Sequence, residues 1–483
     1  MSKLLLPLLL LAQGTDTAND RNWAETLRAD ARAMHDDIAA NHPGPANDLD
    51  PDFAKRNDAA LALAIERAAS VRDLPGYFYA LRGYAAAFDD GHLGFWLAND
   101  APQLGAQWPG FLTGFDGDRQ VVKTRADDSP VPLGAILDSC DGKPAAKLAA
   151  DHVGAFEGRW FLASTRILRG GYLFVDQGNP FITRTTRCRF IVDGKPREVT
   201  LAWRPIARAE MRDRVRDTGR SATDPIGART LADGTRWFTL SDFDGAPDST
   251  ATKALTPMIA AMRSDRAAIA AAPRIVFDLR GNGGGSSDWS AQIAEILWGK
   301  QRVEAQSGSS AVDWRASADN VKTLSDYRDE FRGAEGTSAE MLGWIDATVN
   351  GVTAAHARGE PLWRFADPAP AKTPGEPPAP PAGPVYFITD GTCASACLDA
   401  ADLWKALGAI QVGQETSADT LYIDVRVDPL PSGLANIAVP MKVYRGRERG
   451  SNEPLRPTHA FAGDMRDSDA LARWIAALPE NRR

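Results

Sequence analysis

Two short motifs, separated by roughly a quarter of the chain, contain the residues best suited to catalysis. The first reads Asp-Leu-Arg-Gly-Asn-Gly-Gly-Gly at 278–285, and the second reads Thr-Cys-Ala-Ser-Ala-Cys-Leu at 392–398. Each follows a predicted strand and precedes a predicted helix. The first motif therefore offers backbone N–H groups without side-chain obstruction, and the second places the hydroxyl of Ser395 at the positive end of a helix. Acyl transfer needs these two components, a nucleophile and donors for the oxyanion that it creates.

Each motif also has a purely structural interpretation. Ser395 suits the N-cap of a helix, and a glycine-rich turn between a strand and a helix can serve only to reverse the chain. A phosphate-binding turn is disfavoured, because 281–287 lacks the Gly-x-Gly-x-x-Gly spacing and no Gly-Lys-Ser/Thr follows it. From the residues alone, both interpretations of each motif stay open.

A nucleophilic serine needs a general base, and His92 is the histidine in the most distinctive context. It follows Asp90 and Gly91 in a turn that leads into an apolar strand, whereas the other five histidines lie in polar helical or loop surroundings. A lone histidine is often structural, so His92 is a candidate at this point. Lys405 is an alternative base, but we expect it on the exposed body of a helix.

The elements that must position these residues follow an α/β pattern. Apolar residues at helical spacing dominate the first part of the chain, short β-like runs with Asp-Gly turns follow, and strands then alternate with helices. A Pro- and Ala-rich stretch at 367–384 interrupts the last part and predicts an extended surface loop. We therefore divide the chain into a helical N-terminal region at 21–100, a β-rich module at 103–205, a core in two parts at 225–299 and 384–483, and an insertion at 300–383.

Within these regions the spacing predicts individual elements. We expect helices over 23–40, 52–86, 250–270 and 396–407, and strands that include 120–123, 135–137, 189–192, 199–203, 409–413, 421–427 and 437–444.

Composition excludes some functions. The net charge of the 483 residues is -8 and the sequence has no basic stripe with interleaved aromatics, so we expect no nucleic-acid partner. The N-terminus has a lysine, an apolar run from Leu4 to Ala12 and small residues, which predicts a signal peptide at 1–14. That run is too short to span a bilayer, so we expect an exported, periplasmic or secreted protein without stable membrane insertion. A disordered or amphipathic N-terminus is the alternative interpretation.

Four cysteines in an exported chain can form disulfides, and three pairings are possible. We favour local pairing, Cys140 with Cys188 and Cys393 with Cys397, and free buried thiols are the alternative. A bond between the last two would bracket Ser395. No cysteine or histidine spacing is typical of a zinc site, and we expect neither a metal nor a nucleotide cofactor.

Taken together, the motifs resemble those of the C-terminal processing (tail-specific) serine peptidases, a family that includes the core of tricorn protease. The resemblance covers about residues 75–460 without 300–383. Its motifs occur in the family's order: Asp90-Gly91-His92, the glycine-rich turn, Ser395 with Ala396, the segment 412–416 and the segment 452–457.

The resemblance implies a crotonase-like α/β core, with the module at 103–205 as a PDZ-like domain. It also implies roles for single residues: Ser395 as nucleophile, His92 as base and Glu453 as the carboxylate. The backbone N–H groups that match the oxyanion hole are those of Gly283 or Gly284 and Ala396.

Two positions depart from the family's pattern. One branch of the family uses a lysine base shortly after the 412–416 motif, and this chain has Asp419 near that place. The other branch has a helper serine beside its histidine, where this chain has Gly91. We therefore expect the branch with serine, histidine and glutamate, and a changed orientation of the imidazole.

The resulting prediction is an exported serine endopeptidase that acts on a polypeptide substrate. It cleaves peptides or unfolded proteins through an acyl-enzyme, with a preference for C-terminal regions implied by the resemblance. Two other functions stay open: a non-catalytic protein that binds peptides or apolar ligands on the same fold, and an esterase or amidase. The Gly-x-Ser-x-Gly elbow of α/β-hydrolases is absent around Ser395. The oligomeric state cannot be predicted from these residues.

Overall fold

The computed structural model describes residues 21–219, 224–306, 311–333, 337, 339–365 and 374–479. The predicted signal peptide at 1–14 lies outside the described residues. None of the described helices is both long and apolar enough to cross a membrane.

The helices occur in four groups along the chain: at the N-terminus, within the β-rich module, around the core strands and in the segment 300–383. They are α1 (Trp23–Asn41), α2 (Phe53–Ala68), α3 (Leu74–Ala86), α4 (Ala145–Ala149), α5 (Ala155–Glu157), α6 (Ala163–Arg169), α7 (Arg208–Gly219), α8 (Thr250–Ser264), α9 (Arg266–Ala270), α10 (Asp288–Trp298), α11 (Lys300–Gln306), α12 (Ala318–Gly333), α13 (Ala339–Ala357), α14 (Ala396–Ala406) and α15 (Ser468–Ala476).

The strands are mostly short, and the longest lies near the C-terminus. They are β1 (Gly94–Leu97), β2 (Gln107–Trp108), β3 (Phe111–Asp116), β4 (Arg119–Arg125), β5 (Ile136–Cys140), β6 (Lys143–Pro144), β7 (Arg187–Val192), β8 (Lys195–Thr200), β9 (Arg204–Pro205), β10 (Gly227–Thr230), β11 (Arg236–Thr239), β12 (Ile275–Asp278), β13 (Ala311–Arg315), β14 (Leu362–Phe365), β15 (Val385–Thr389), β16 (Ile410–Gly413), β17 (Tyr422–Pro429), β18 (Ala435–Arg445) and β19 (His459–Ala460).

The core sheet has the order β10-β11-β12-β15-β16-β19, and all neighbours except β10 and β11 are parallel. Its central strands read as continuous apolar runs because helices cover both faces. Phe277 and Phe387 face α8, α10 and α14, while Val276 and Tyr386 face α15. This alternation of side chains confirms the predicted α/β fold class.

The second large sheet joins the two ends of the chain. Its order is β1-β18-β13-β14, with β17 also paired to β18. The N-terminal helices α1 to α3 pack on one face, where Leu81 and Tyr84 share a cluster with Ile437 and Val439 of β18. Helices α12 and α13 pack on the other face around Trp314.

The module forms a separate sheet with the order β3-β4-β5-β7-β8, and β6 pairs with β5. Its own apolar cluster includes Phe111, Phe174 and Phe190. The structure pairs Cys140 with Cys188 across β5 and β7, and Cys393 with Cys397 around the start of α14.

Several elements differ from the sequence prediction. The helix expected over 52–86 is two helices, because Asp73 accepts a hydrogen bond from the Gly76 N–H and caps α3. The helix expected over 250–270 breaks at Asp265. The last predicted strand of the module ends at Thr200 rather than at Trp203. The segment 300–383 is more than a surface insertion, because its β13 pairs with β18.

Candidate active site

The two sequence motifs meet at one edge of the core sheet. Strands β12, β15 and β16 are parallel, so their C-terminal ends lie at the same edge. The glycine-rich turn follows β12, and the turn that contains Ser395 follows β15. The topology therefore brings together a candidate nucleophile and a row of backbone N–H groups.

Gly284 lies directly against the nucleophile turn. A Cβ atom added to it would stand 2.7 Å from the Ala394 oxygen, 2.7 Å from the Ser395 Cβ and 3.1 Å from the Ala396 nitrogen. The Asp390 carboxylate also links the two turns, because it accepts hydrogen bonds from the Gly281 N–H and the Thr392 N–H. Only glycine fits at position 284, where the backbone φ is +105°.

Ser395 has a strained backbone at the first turn of α14. Its φ is +54° and its ψ is -127°, a combination that a side-chain-bearing residue rarely adopts and that often marks functional sites. Its hydroxyl makes no capping hydrogen bond to the helix, and its backbone N–H donates to Asp419 Oδ2 at 2.9 Å. This geometry argues against the N-cap interpretation, because the side chain is not used to cap the helix.

Two N–H groups beside Ser395 are open for an oxyanion. Within the described part of the chain, no acceptor is recorded for the N–H of Gly283 or Ala396. The N–H of Gly284 is already occupied, since it donates to Asn282 Oδ1 at 2.8 Å. Gly283 and Ala396 are therefore better placed to donate than Gly284, which instead provides the close approach of the two turns.

His92 lies in the turn between α3 and β1, and Asp90 is its nearest carboxylate. The His92 Nδ1 atom is 4.0 Å from Asp90 Oδ1, and the backbone N–H of His92 donates to the same oxygen at 2.9 Å. The His92 Nδ1 atom is buried without a hydrogen-bond partner among the described residues. Asp90 precedes His92 by two residues, and its position in the sequence did not predict a role beside the imidazole.

Two consecutive residues connect the histidine turn to the serine turn. The Asp419 carboxylate accepts from the Ser395 N–H, and the next residue, Thr420, donates its hydroxyl to Asp90 Oδ1 at 2.9 Å. No hydrogen bond joins the Ser395 hydroxyl to the His92 imidazole in the part of the chain described. Such contacts are often long in a free enzyme and tighten when substrate binds.

The environment of Asp90 keeps its carboxylate charged. Burial raises the pKa of Asp90, but the imidazoles of His42 and His92 and the hydrogen bond from the His92 N–H lower it by more, so the pKa lies below its ordinary value. His42 stands on the far side, with its Nε2 atom 3.8 Å from Asp90 Oδ2. Burial holds the pKa of His42 below its ordinary value, so His42 is neutral beside the carboxylate.

Glu453 is not placed against the imidazole. Glu453 is exposed, and its carboxylate accepts a hydrogen bond from the Gly450 N–H at 3.0 Å. The adjacent Asn452 approaches the histidine turn instead, where its amide donates to the Asp89 carbonyl oxygen at 2.9 Å.

An arginine occupies the space beside Gly91. A Cβ atom at position 91 would stand 2.7 Å from the guanidinium carbon and both terminal nitrogens of Arg159. Arg159 donates to the Ala418 carbonyl oxygen at 2.7 Å, and its backbone N–H donates to the Asp89 carboxylate. The guanidinium therefore lies where the side chain of a helper serine would begin, which no local sequence signal could have revealed.

Comparisons with known proteins agree with this geometry. Residues 238–453 match the sequence model of peptidase family S41. The structure of mature CPAF has a TM-score of 0.61 and 14% identity, and the match covers 94% of this chain and 96% of that one. Mature CPAF complexed with lactacystin gives a TM-score of 0.60 and 15% identity, covering 94% of this chain and 98% of that one. At these identities the matches show a shared fold. A search of curated proteins finds no match.

The fold and the site define the class of this protein, a serine-type peptidase and hence a hydrolase. More narrowly, the segment 238–453, which holds the glycine-rich turn, Ser395 and Glu453, belongs to peptidase family S41. This confirms the family that the sequence motifs predicted. The class also implies a polypeptide substrate.

Proposed function

We propose that this chain is an exported serine endopeptidase that cleaves peptides or unfolded proteins through an acyl-enzyme, with Ser395 as nucleophile and His92 as base. One observation supports the proposal most strongly: the strained, uncapped Ser395 lies directly against Gly284, beside two N–H groups that have no acceptor among the described residues. A structural turn has no need of this combination.

In the proposed reaction, the Ser395 hydroxyl attacks the scissile carbonyl while His92 accepts its proton. The N–H groups of Gly283 and Ala396 donate to the oxyanion that forms, and the positive end of α14 adds to its stabilisation. His92 then protonates the leaving amine. Water attacks the acyl-enzyme with the same histidine as base, which releases the acid and restores the Ser395 hydroxyl.

For the carboxylate that orients His92, the contacts favour Asp90. The Asp90 side chain is buried, lies 4.0 Å from the imidazole and is charged, whereas Glu453 is exposed and its carboxylate accepts from the Gly450 N–H. We therefore propose Asp90 as the positioning carboxylate and keep Glu453, which the family resemblance implies, as the competing assignment.

Export and substrate choice are further parts of the proposal. The predicted signal peptide at 1–14 supports export, and so do the two disulfides, which persist in oxidising compartments. A preference for C-terminal segments would require the module at 103–205 to dock a peptide at its edge strand β3. Because α7 packs there, with the Thr218 oxygen 2.5 Å from a Cβ added to Gly114, docking would require α7 to move.

The direct test is labelling of the purified full chain with a fluorophosphonate probe. We expect Ser395 to be labelled, and the labelling to vanish in Ser395→Ala and to fall at least about 100-fold in His92→Ala, because the base activates the hydroxyl. Ser417→Ala serves as the matched control, since Ser417 is a buried serine near the site that the mechanism does not use.

The opposite result would change the function. A folded wild-type chain that stays unlabelled and cleaves no unfolded protein would support a binding protein on this fold. Labelling without cleavage of any polypeptide would support an esterase or amidase.

A further inference from the structure

A large cavity lies between the N-terminal helices and the module, away from the proposed catalytic residues. Its volume is about 540 Å³, and its walls come from α3, β1, α5, α7 and the segment 172–185. Pockets that hold drug-sized ligands have volumes of this order. Neither Ser395, His92 nor the glycine-rich turn lines it.

The cavity is cationic although the chain as a whole is acidic. Five arginines and only two acidic residues line it, in a chain whose net charge is -8. Both acids are neutralised: Glu157 is 2.6 Å from Arg82, and Asp176 is 2.9 Å from Arg184. Burial and the nearby Lys143 lower the pKa of His152, so this histidine adds no charge at neutral pH.

Two arginines of the lining have no anionic partner. Arg208 and Arg212 are one helical turn apart on α7 and therefore share a face. Neither has an ion pair or a hydrogen bond to any residue that the structure describes. Arg204, near the same cavity, is by contrast paired with Asp128 at 2.5 Å.

A buried amide of the lining also lacks an acceptor. Asn179 is 8% exposed, and its Oδ1 atom accepts from the Phe181 N–H, but its Nδ2 atom has no hydrogen-bond partner among the described residues. A buried donor without a partner is costly, and a bound acceptor would satisfy it. This buried donor points to a bound acceptor, and the exposed Arg208 and Arg212 supply positive charge at the same cavity.

Aromatic side chains form part of the remaining walls. Tyr79, Phe156 and Tyr172 line the cavity, and Trp96 of β1 contributes an indole that is 39% exposed. Aromatic walls favour the body of an apolar ligand, and exposed indoles are common at binding sites.

We propose that this cavity binds a small organic anion with an aromatic or acyl body, whose anionic group contacts Arg208, Arg212 and Asn179. The proposal does not depend on the peptidase activity, because it uses none of the proposed catalytic residues.

The probe for this site is 8-anilinonaphthalene-1-sulfonate, an aromatic sulfonate, titrated into the full chain by calorimetry and fluorescence. We expect one saturable site per chain. Arg208→Gln and Arg212→Gln should each weaken binding about ten-fold, since each removes one charge-assisted hydrogen bond. Asn179→Asp should weaken it further by replacing the donor with a like charge, while its Oδ1 acceptor is retained.

The matched control is Arg197→Gln on β8, which removes an exposed arginine outside the cavity and should leave binding unchanged. Neutral N-phenyl-1-naphthylamine should bind wild type and the two arginine variants equally. Equal weakening by Arg197→Gln and Arg208→Gln, or no saturable site in wild type, would overturn the proposal. If Asn179→Asp does not fold, the arginine variants decide the outcome alone.

Discussion

At the scale of single residues, the main question is which carboxylate orients His92. Asp90→Asn keeps the shape of the side chain and an acceptor for the His92 N–H but removes the charge. We expect the rate of fluorophosphonate labelling to fall about 100-fold, as for loss of general-base assistance, and Glu453→Gln to change it less than about two-fold.

The reverse ranking would restore the assignment made from the family resemblance. If Glu453→Gln lost activity and Asp90→Asn kept it at an unchanged melting temperature, Glu453 would reach His92 in a conformation that differs from the one described. A lower melting temperature of Asp90→Asn without a lower labelling rate would give Asp90 a purely structural role.

Gly284 permits a second test at this scale. Gly284→Ala places a methyl group 2.7 Å from the Ala394 oxygen and the Ser395 Cβ at a φ of +105°, so the two turns must separate. We expect labelling to fall about 100-fold, because a displacement of about 1 Å at a reacting group has effects of that size. Gly283→Ala is the control: its Cβ would meet no atom within 4 Å, and the backbone N–H is retained. An equal loss of labelling in both variants would show that the contact between the turns does not determine the reactivity of Ser395.

The parts of the site that the sequence predicted are those with local signals. Ser395 and the glycine-rich turn are each contained within a motif of eight residues or fewer, and the parallel strands before them bring them together. Asp90 lay within the His92 motif but was not recognised, because its charge and burial become apparent only in three dimensions. Arg159 reaches Gly91 from the module, and a single sequence carries no signal for a contact over that separation.

At the scale of elements, the two disulfides should contribute differently to the free energy of unfolding. Cys140–Cys188 joins residues 48 apart across two strands, whereas Cys393–Cys397 joins residues only 4 apart around Ser395. Loop-closure entropy gives about 4 kcal/mol for the first and about 2 kcal/mol for the second. We therefore expect the double variant Cys140→Ala/Cys188→Ala to lose more free energy of unfolding in denaturant titrations.

The two disulfide variants, one for each bond, should rank in the opposite order for activity. Cys393→Ala/Cys397→Ala removes the bond that fixes the nucleophile turn, so it should slow the labelling of Ser395 more than the module variant does. Equal labelling rates in the two variants would mean that the packing of Gly284 alone fixes the turn.

The sequence predicted strands correctly where both faces of the strand are buried, because burial on both faces gives a continuous apolar run. The core strands β12 and β15 are apolar on both faces and were recognised as strands. The pairing of β13 with β18 could not be predicted, because β13 has only five residues and its partner lies more than a hundred residues later. A short segment within a polar region adopts the strand conformation because it pairs with that distant partner.

At the scale of the whole molecule, His42 marks the junction where the N-terminal helices pack on the second large sheet. It follows α1, its ring centroid lies 4.4 Å from that of Phe53 and 4.5 Å from that of Tyr422 at the start of β17, and it faces Asp90. Asp50 and Arg56 act on it from the loop before α2 and from α2 itself. Protonation of His42 therefore places a charge inside the contact between the two ends of the chain.

Burial lowers the pKa of His42 in the folded chain, so the unfolded chain binds a proton more readily near its ordinary pKa of 6.5. The contribution of His42 to stability is complete above pH 6.5 and is lost as the pH falls below that value. We expect the free energy of unfolding to fall on this account as the pH drops below 6.5.

The measurement is denaturant unfolding at several pH values, for wild type and for His42→Asn, which keeps an acceptor for the Gly44 N–H. The free energy of unfolding is plotted against pH for each chain, and the difference between the two slopes isolates His42 from the other histidines. His35→Gln is the opposite-sign control: partial burial lowers the pKa of His35, but its hydrogen bonds to Asp58 and Asp36 raise it by more. The stability that His35 adds is therefore present below pH 6.5 and is lost as the pH rises. If His42→Asn unfolded with the same pH dependence as wild type, the junction would not be the acid-sensitive part of the molecule.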